Sequence, residues 1–260
     1  ADCSMSEEIL KQISENYRKV RNTFRFLLAN INNEEDFTRA DLVAVSELPK
    51  LDQYMLALLN DVNEKCQLAY QEYRFSDVTT LLTNLMTNEF SAYYLDFTKD
   101  ILYIEQKDSP RRRQVQTVLY HAVDVLVRLW APILVHTAEE VNDFFQGEAE
   151  SIHLGKFAEM FAVEDAEALK AQVARLMLIR SDIFKALEEA RAAKVIGKSL
   201  EAEVLVNVSD EDRALIAELC GDQFHQWLIV SKVSFSIDEL KSYEVCQVEI
   251  VPAEGTVCPR

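Results

Sequence analysis

The sequence predicts a mainly α-helical protein: an antiparallel helical bundle followed by a long helix and a small α+β domain. Three observations carry this reading. Over roughly the first 145 residues, apolar positions recur at three- and four-residue spacing, the period of a helix face. Glycine and proline number only 5 each in 260 residues, too few for a loop-rich or all-β chain. From about residue 200, stretches such as "EAEVLVNV" alternate with period two, the mark of strands.

The elements follow in order. A first helix is predicted from about Ser6 to Asn30, with Ile9, Ile13, Tyr17, Val20, Phe24 and Leu27 inward, and "NNEEDF" then breaks the pattern. A second helix opens near Pro49, which suits a first helical position, and repeats Leu51, Met55, Leu58, Val62, Cys66, Ala69 and Tyr73. Ser76 is the expected N-cap of a third helix, which carries Leu81, Leu82, Leu85, Met86, Tyr93, Tyr94 and Phe97 inward. A fourth follows Pro110 with Val115, Val118, Ala122, Val125 and Leu129, and Pro132 interrupts it. Thr137 and Glu140 read as a T-x-x-E capping box opening a short fifth helix that ends near Gly147. Short loops between long amphipathic helices make antiparallel neighbours, hence an up-and-down bundle.

After "QGEAESIHLGKF" a long helix is expected from about Glu164 to Ala193, carrying Leu169, Val173, Leu176, Ile179, Ile183 and Leu187, with Gly197 as its stop. Residues 195–252 then read as a β-α-β-β layer built from "EAEVLVNV", "DEDRALIAELCG", "WLIVSKVSFS" and "YEVCQVEIV". The expected division is a bundle over residues 1–155, a long helix plus α+β part over 156–252, and a terminal segment over 253–260.

Composition excludes several classes. With 44 acidic and 27 basic residues the formal net charge is -17, so a polyanion must be met by a local basic patch against the average field. No apolar run approaches the roughly 20 residues that span a bilayer. The N-terminus "ADCSMSEEIL" lacks the pattern of a signal peptide, and its missing initiator Met predicts a piece of a longer chain. Cys3, Cys66, Cys220, Cys246 and Cys258 are odd in number and irregularly spaced, which fits free thiols in a reducing cytoplasm. No glycine-rich phosphate loop, G-x-S-x-G elbow or H-E-x-x-H occurs, and His121, His136, His153 and His225 stand apart, so no catalytic residue is assigned.

What remains is positive charge. "YRKVRNTFRFLLANI" places Arg18 and Arg25 on one helix face with Lys11, and Arg21 beside them, while Glu15 is the main acid nearby. "SPRRRQVQTVLY" places Arg111, Arg112 and Arg113 in a first helical turn, where cations oppose the helix dipole. Both features suit an anion partner. They equally suit the solvated face of a helical scaffold that binds proteins, which would need an exposed apolar patch of several hundred Å².

The segments "YRKVRNTFRFLLANI", "MTNEFSAYYLDFTKDILY", "RRRQVQTVLYHAVDVLVRLWAPILVHTAEEV", "ESIHLGKF" and "KVIGKSLEAEV" decide between these readings. Taken together and in this order, they resemble the anticodon-binding region of bacterial-type isoleucyl-tRNA synthetases, class I enzymes. "KVIGKSLEA" matches that family's K-x-I-G-x-S-L-E-A signature. The sequence departs from the family after "AEEV", where Asn142 stands in place of the usual Trp.

The resemblance implies a helical anticodon-binding bundle, an isoleucine-accepting tRNA as partner, and a role in an ATP-dependent isoleucine–tRNA ligase. The catalytic and editing domains of such a ligase would lie outside these 260 residues. It implies base contact for Asn22 and Arg25, and phosphate contact for Arg18, Arg21, Arg112 and Arg113, with Lys194 and Lys198 as further contacts. Tyr93, Tyr94, Phe97 and Trp130 are expected in the core, and Asp96, Lys99 and Asp100 in internal ion pairs. The resemblance also implies, since many family members end in a zinc ribbon with two C-x-x-C pairs, that Cys258 would be one ligand of such a site, with no zinc expected on it alone. A cytoplasmic monomer without membrane or DNA contact completes the expectation.

Overall fold

The structure is a computed structural model that describes residues 6–32, 35–145, 147 and 150–255. It divides into two units. The first comprises residues 1–48 and 55–164, and the second residues 49–54 and 165–260.

In the first unit, α1 (Glu7–Ala29) starts at Ser6, whose hydroxyl accepts the Ile9 amide at 3.3 Å. Only its second half is buried, through Val20, Thr23, Phe24 and Leu27. Ile9, Ile13 and Tyr17, expected inward, are 39%, 58% and 37% exposed, so the apolar stripe outruns the surface that covers it. α2 (Lys50–Gln71) follows Pro49 directly, and from Met55 onward it belongs to this unit. It ends before Tyr73, which has φ 57° and is exposed rather than on the inner face.

The expected third helix is one continuous run with a change of winding: α3 (Phe75–Asn84), a π-helical segment (Leu85–Tyr94) and α4 (Leu95–Ile104). Ser76 lies inside it rather than capping it. α5 (Pro110–Trp130) has proline in its first turn and buries Val115, Val118, Ala122, Val125 and Leu129 as expected.

α6 (Val135–Phe144) begins two residues before Thr137, so T-x-x-E is not its capping box. Both side chains reach across to α1 instead. The Tyr17 and Thr137 hydroxyls are 2.9 Å apart, and Arg21 meets Glu140 one turn on. The two pairs ascend together, so α6 runs parallel to α1, as the first and fifth helices of an up-and-down arrangement must.

The first unit runs to residue 164, and two side chains of α2 hold its last stretch. Asn60 pairs with both backbone groups of Phe161, donating at 2.9 Å and accepting at 2.8 Å, and Asn63 donates to the Ala158 carbonyl at 2.9 Å. These amides satisfy an extended backbone that has no sheet to join.

In the second unit, α7 (Ala166–Ala192) buries Leu169, Val173, Leu176, Ile179, Ile183 and Leu187, as its period predicts. Its stop is not Gly197. Lys194 takes the left-handed conformation at φ 60°, and the Val195 amide donates back to the Ala190 carbonyl at 2.9 Å, which closes the helix end. β1 (Ala202–Asn207) alternates buried and half-buried residues. α8 (Asp210–Cys220) and the short α9 (Phe224–Leu228) lead to β2 (Lys232–Phe235), and β3 (Gln247–Pro252) completes the sheet. "WLIV" is therefore helix and turn, and only the later part of that run is strand.

The strand order is β2-β1-β3. β1 is parallel to β2, with Val204 opposite Val233, and antiparallel to β3, with Val204 opposite Ile250. Asp182 of α7 accepts the Val245 amide at 2.7 Å and that of Cys246 at 3.3 Å, fixing the approach to β3. Among the described residues, no helix is long and apolar enough to cross a membrane.

Candidate nucleic-acid interface

α1 presents its cations because its burial is one-sided. With Val20, Phe24 and Leu27 packed inward, Arg18, Lys19, Asn22 and Arg25 are all exposed. Arg18, Asn22 and Arg25 fall at four- and three-residue steps, which keeps them on one stripe. The side chains of Arg18, Lys19, Asn22 and Arg25 make no ion pair or hydrogen bond with the described residues, so three charges and one amide face solvent unneutralised.

Arg21 differs from its neighbours. Its guanidinium grips the Glu140 carboxylate through two hydrogen bonds of 2.5 and 2.7 Å. The hydrogen bond to Glu140 is the main reason that the guanidinium proton is held more tightly than usual, and the same bond draws the Glu140 carboxyl below its ordinary range. Both side chains are nearly half exposed, at 48% and 47%, so the pair is open to water and to a competing anion.

Two grooves flank the stripe. One, of about 350 Å³, lies between α1 and α6. Phe24, Leu28, Val141 and Phe144 make it largely apolar, with Arg21, Arg25 and Glu140 at its polar edge. The other, of about 600 Å³, lies between α1 and the π-helical segment. Lys19, Asn22 and Phe26 line one wall, and Asn88, Ser91 and Lys99 stand opposite.

Sequence reasoning missed the second groove, since neither the change of winding nor Asn88 carries a period signal. It did place Lys99 with Asp96, and the two are 2.7 Å apart. Tyr93, Tyr94, Phe97 and Trp130 are buried, and the Trp130 indole N–H points at the Met86 sulfur at 3.2 Å.

Arg112 and Arg113, expected at backbone phosphate, are instead engaged within the unit and mostly buried. Arg112 holds the Asp36 carboxylate with two bonds of 2.6 Å, and also donates to the Leu102 carbonyl at 3.0 Å. Arg113 donates to the Asp36 carbonyl at 2.5 Å and to Gln116 at 3.0 Å. Their side chains are only 12% and 13% exposed. The anion that offsets cations at a helix N-terminus is thus Asp36, 76 residues away in sequence. The Arg112 guanidinium in turn holds the Asp36 carboxyl below the usual carboxylate range, against the opposing effect of burial.

Lys194 and Lys198 are exposed in the second unit, on the connection between α7 and β1. The Gly197 and Lys198 amides both donate to the Glu201 carboxylate, at 2.8 and 3.2 Å, which fixes this loop and sets an acid beside Lys198.

Cys258 lies outside the described residues. Among the described ones, no group of three or more His, Cys, Asp or Glu side chains is placed to hold a metal ion. Burial pushes the thiols of Cys66, Cys220 and Cys246 up to about 12.

The chain is 46% identical to an isoleucine–tRNA ligase of Geobacillus kaustophilus over 270 aligned positions. It is 42% identical to that of Bacillus subtilis, and 40% to that of Lactobacillus helveticus. The alignments take in all of this chain but only 29%, 29% and 28% of those proteins, so it spans less than a third of the length of the relatives it matches. Residues 52–206 match the family model described as the anticodon-binding domain of tRNA ligase, a stretch that holds α2 to β1 and leaves the basic helix α1 before it. The chain belongs to the family of anticodon-binding domains of tRNA ligases.

Proposed function

We propose that this chain grips the anticodon stem-loop of an isoleucine-accepting tRNA and serves as the anticodon-reading part of an ATP-dependent isoleucine–tRNA ligase. The observation that carries the reading is the outer face of α1, where Arg18, Lys19, Asn22 and Arg25 stand exposed without an acidic partner among the described residues, in a chain of net charge -17. Phosphates on the stem would take Arg18, and Lys19 would meet a phosphate nearer the loop. Asn22 and Arg25 would meet the loop, where unpaired bases offer edges and faces to side chains. Lys194 and Lys198 are weaker contacts on the second unit, and Arg21 joins once a phosphate displaces Glu140.

The ligation chemistry, with ATP and any zinc, belongs to the longer protein. There the contacts made here would hold the tRNA so that its acceptor end reaches a distant active site. The chain acts as a cytoplasmic monomer on tRNA rather than on DNA or a membrane.

A second reading, a helical scaffold for protein partners, draws on one observation: Leu10 and Ile13 on the first half of α1 are 50% and 58% exposed. Fluorescence anisotropy separates the two. The cognate stem-loop should bind more tightly than one with a swapped anticodon, and Arg25→Ala should remove about 1–3 kcal/mol of that preference. Equal affinity for both loops, unmoved by Arg25→Ala, would sink base reading. No salt-sensitive binding of either loop would favour the scaffold.

A further inference from the structure

The groove between α1 and the π-helical segment has the dimensions and chemistry of a binding site for one small polar ring. Its volume of about 600 Å³ falls within the range of ligand pockets, roughly 300–1,000 Å³. The Phe26 ring, set edge-on to Tyr103 with centroids 6.4 Å apart, supplies a half-buried aromatic wall. Asn22 and Asn88 are exposed on opposite sides, and neither amide is engaged by the described residues. Each carries two donors and an acceptor, the complement of a base edge. Lys19 on one rim is a free cation for a phosphate, and Lys99 on the other is tied to Asp96.

The π-helical winding is what assembles one wall. Residues four apart on an α-helix drift by about 40° per step, so a stripe spaced by four leaves any one groove within three steps. Turns closed by i→i+5 bonds wind more slowly and cancel that drift. Thr87, Ser91, Leu95 and Lys99, each four residues from the next, therefore all line the same groove. Ser91 fixes the wall to α1. Its hydroxyl donates to the Met86 carbonyl at 2.8 Å and meets the Thr23 hydroxyl at 3.1 Å.

We infer that this groove receives a single unstacked nucleotide of the bound RNA loop, with Asn88 and Asn22 reading the base edge, Phe26 flanking the ring and Lys19 meeting its phosphate. The inference rests on the anticodon-binding reading and goes beyond it in assigning a subsite and a residue, Asn88, outside the basic stripe.

The test is a double-mutant cycle in anisotropy. The 260-residue chain and its Asn88→Ala variant are titrated with the isoleucine-tRNA anticodon stem-loop and with a set in which each loop nucleotide in turn is made abasic. Asn88→Ala, at an exposed position, should weaken the intact loop about 5- to 100-fold with an unchanged salt slope, as expected for a lost base contact. At one loop position the abasic change and Asn88→Ala should overlap rather than add. Asn22→Ala should show the same overlap at that position, while Lys19→Ala should lower the salt slope by about one.

Additive losses at every position, or an Asn88 variant that binds like the parent, would overturn the groove assignment while leaving anticodon binding intact. A parent chain that binds the stem-loop no better than an unrelated hairpin would overturn both.

Discussion

A single carboxylate settles the fate of two arginines. Asp36 sits in a loop between helices, yet it neutralises the first turn of α5 by pairing with Arg112 and lending its backbone carbonyl to Arg113. With side chains 12% and 18% exposed, the Arg112–Asp36 pair is mostly withdrawn from water. Removing one partner strands the other. Asp36→Asn is therefore expected to lower the unfolding free energy of the helical unit by about 2–3 kcal/mol, below the cost for a fully buried pair. Urea unfolding followed by circular dichroism measures it, and a change under about 0.5 kcal/mol would refute the role.

The pH dependence has a definite sign. Pairing with Arg112 lowers the folded pKa of Asp36 from its ordinary 3.8, so its contribution is complete above that value. It is lost as acidification passes through the lower folded value. The variant should show a smaller drop in stability across that acid window. None of this was legible from residues in the vicinity, because a pairing across 76 positions leaves no local pattern.

At the scale of elements, amphipathic period served well and special backbone did not. The inward faces of α5 and α7 stood out because each repeats apolar residues at helical spacing over about four turns or more. The π-helical segment was hidden inside an already apolar run, where an extra residue per turn does not disturb the pattern. T-x-x-E misled for a related reason: the spacing that suits a capping box also suits two side chains reaching to a parallel neighbour.

The stop of α7 was assigned to Gly197 on residue type alone, whereas Lys194 takes the left-handed position. That conformation costs a side-chain-bearing residue about 1–2 kcal/mol relative to glycine, partly offset by the greater freedom of glycine in the unfolded chain. Lys194→Gly should accordingly raise the stability of the second unit by about 0.5–1 kcal/mol. A lower thermal midpoint for this variant would show that the helix ends for another reason.

For the molecule as a whole, charge and burial divide the labour. The surplus of acids keeps polyanions away on average, and the candidate site was legible because α1 departs from that average. The sequence reads α1 as an incompletely neutralised stripe, and Arg18 and Arg25 are exposed without an acidic partner among the described residues. The acids that pair with Arg21, Arg112 and Arg113 left no such local signal, since they come from other elements.

α1 is anchored along only part of its length, and this has a consequence for exchange with solvent. Residues 7–16 are all exposed, while Val20 to Leu27 supply the buried positions. Amides of the first turns should exchange through local opening, and those beyond Val20 only when the helical unit opens cooperatively. Native-state hydrogen exchange should then show a step in protection near residue 18, and uniform protection along α1 would contradict it. Arg18 stands at that step, and Asn22 and Arg25 beyond it. The backbone that carries Asn22 and Arg25 is thus held in place by the buried face opposite, while their exposed side chains keep their rotamer freedom.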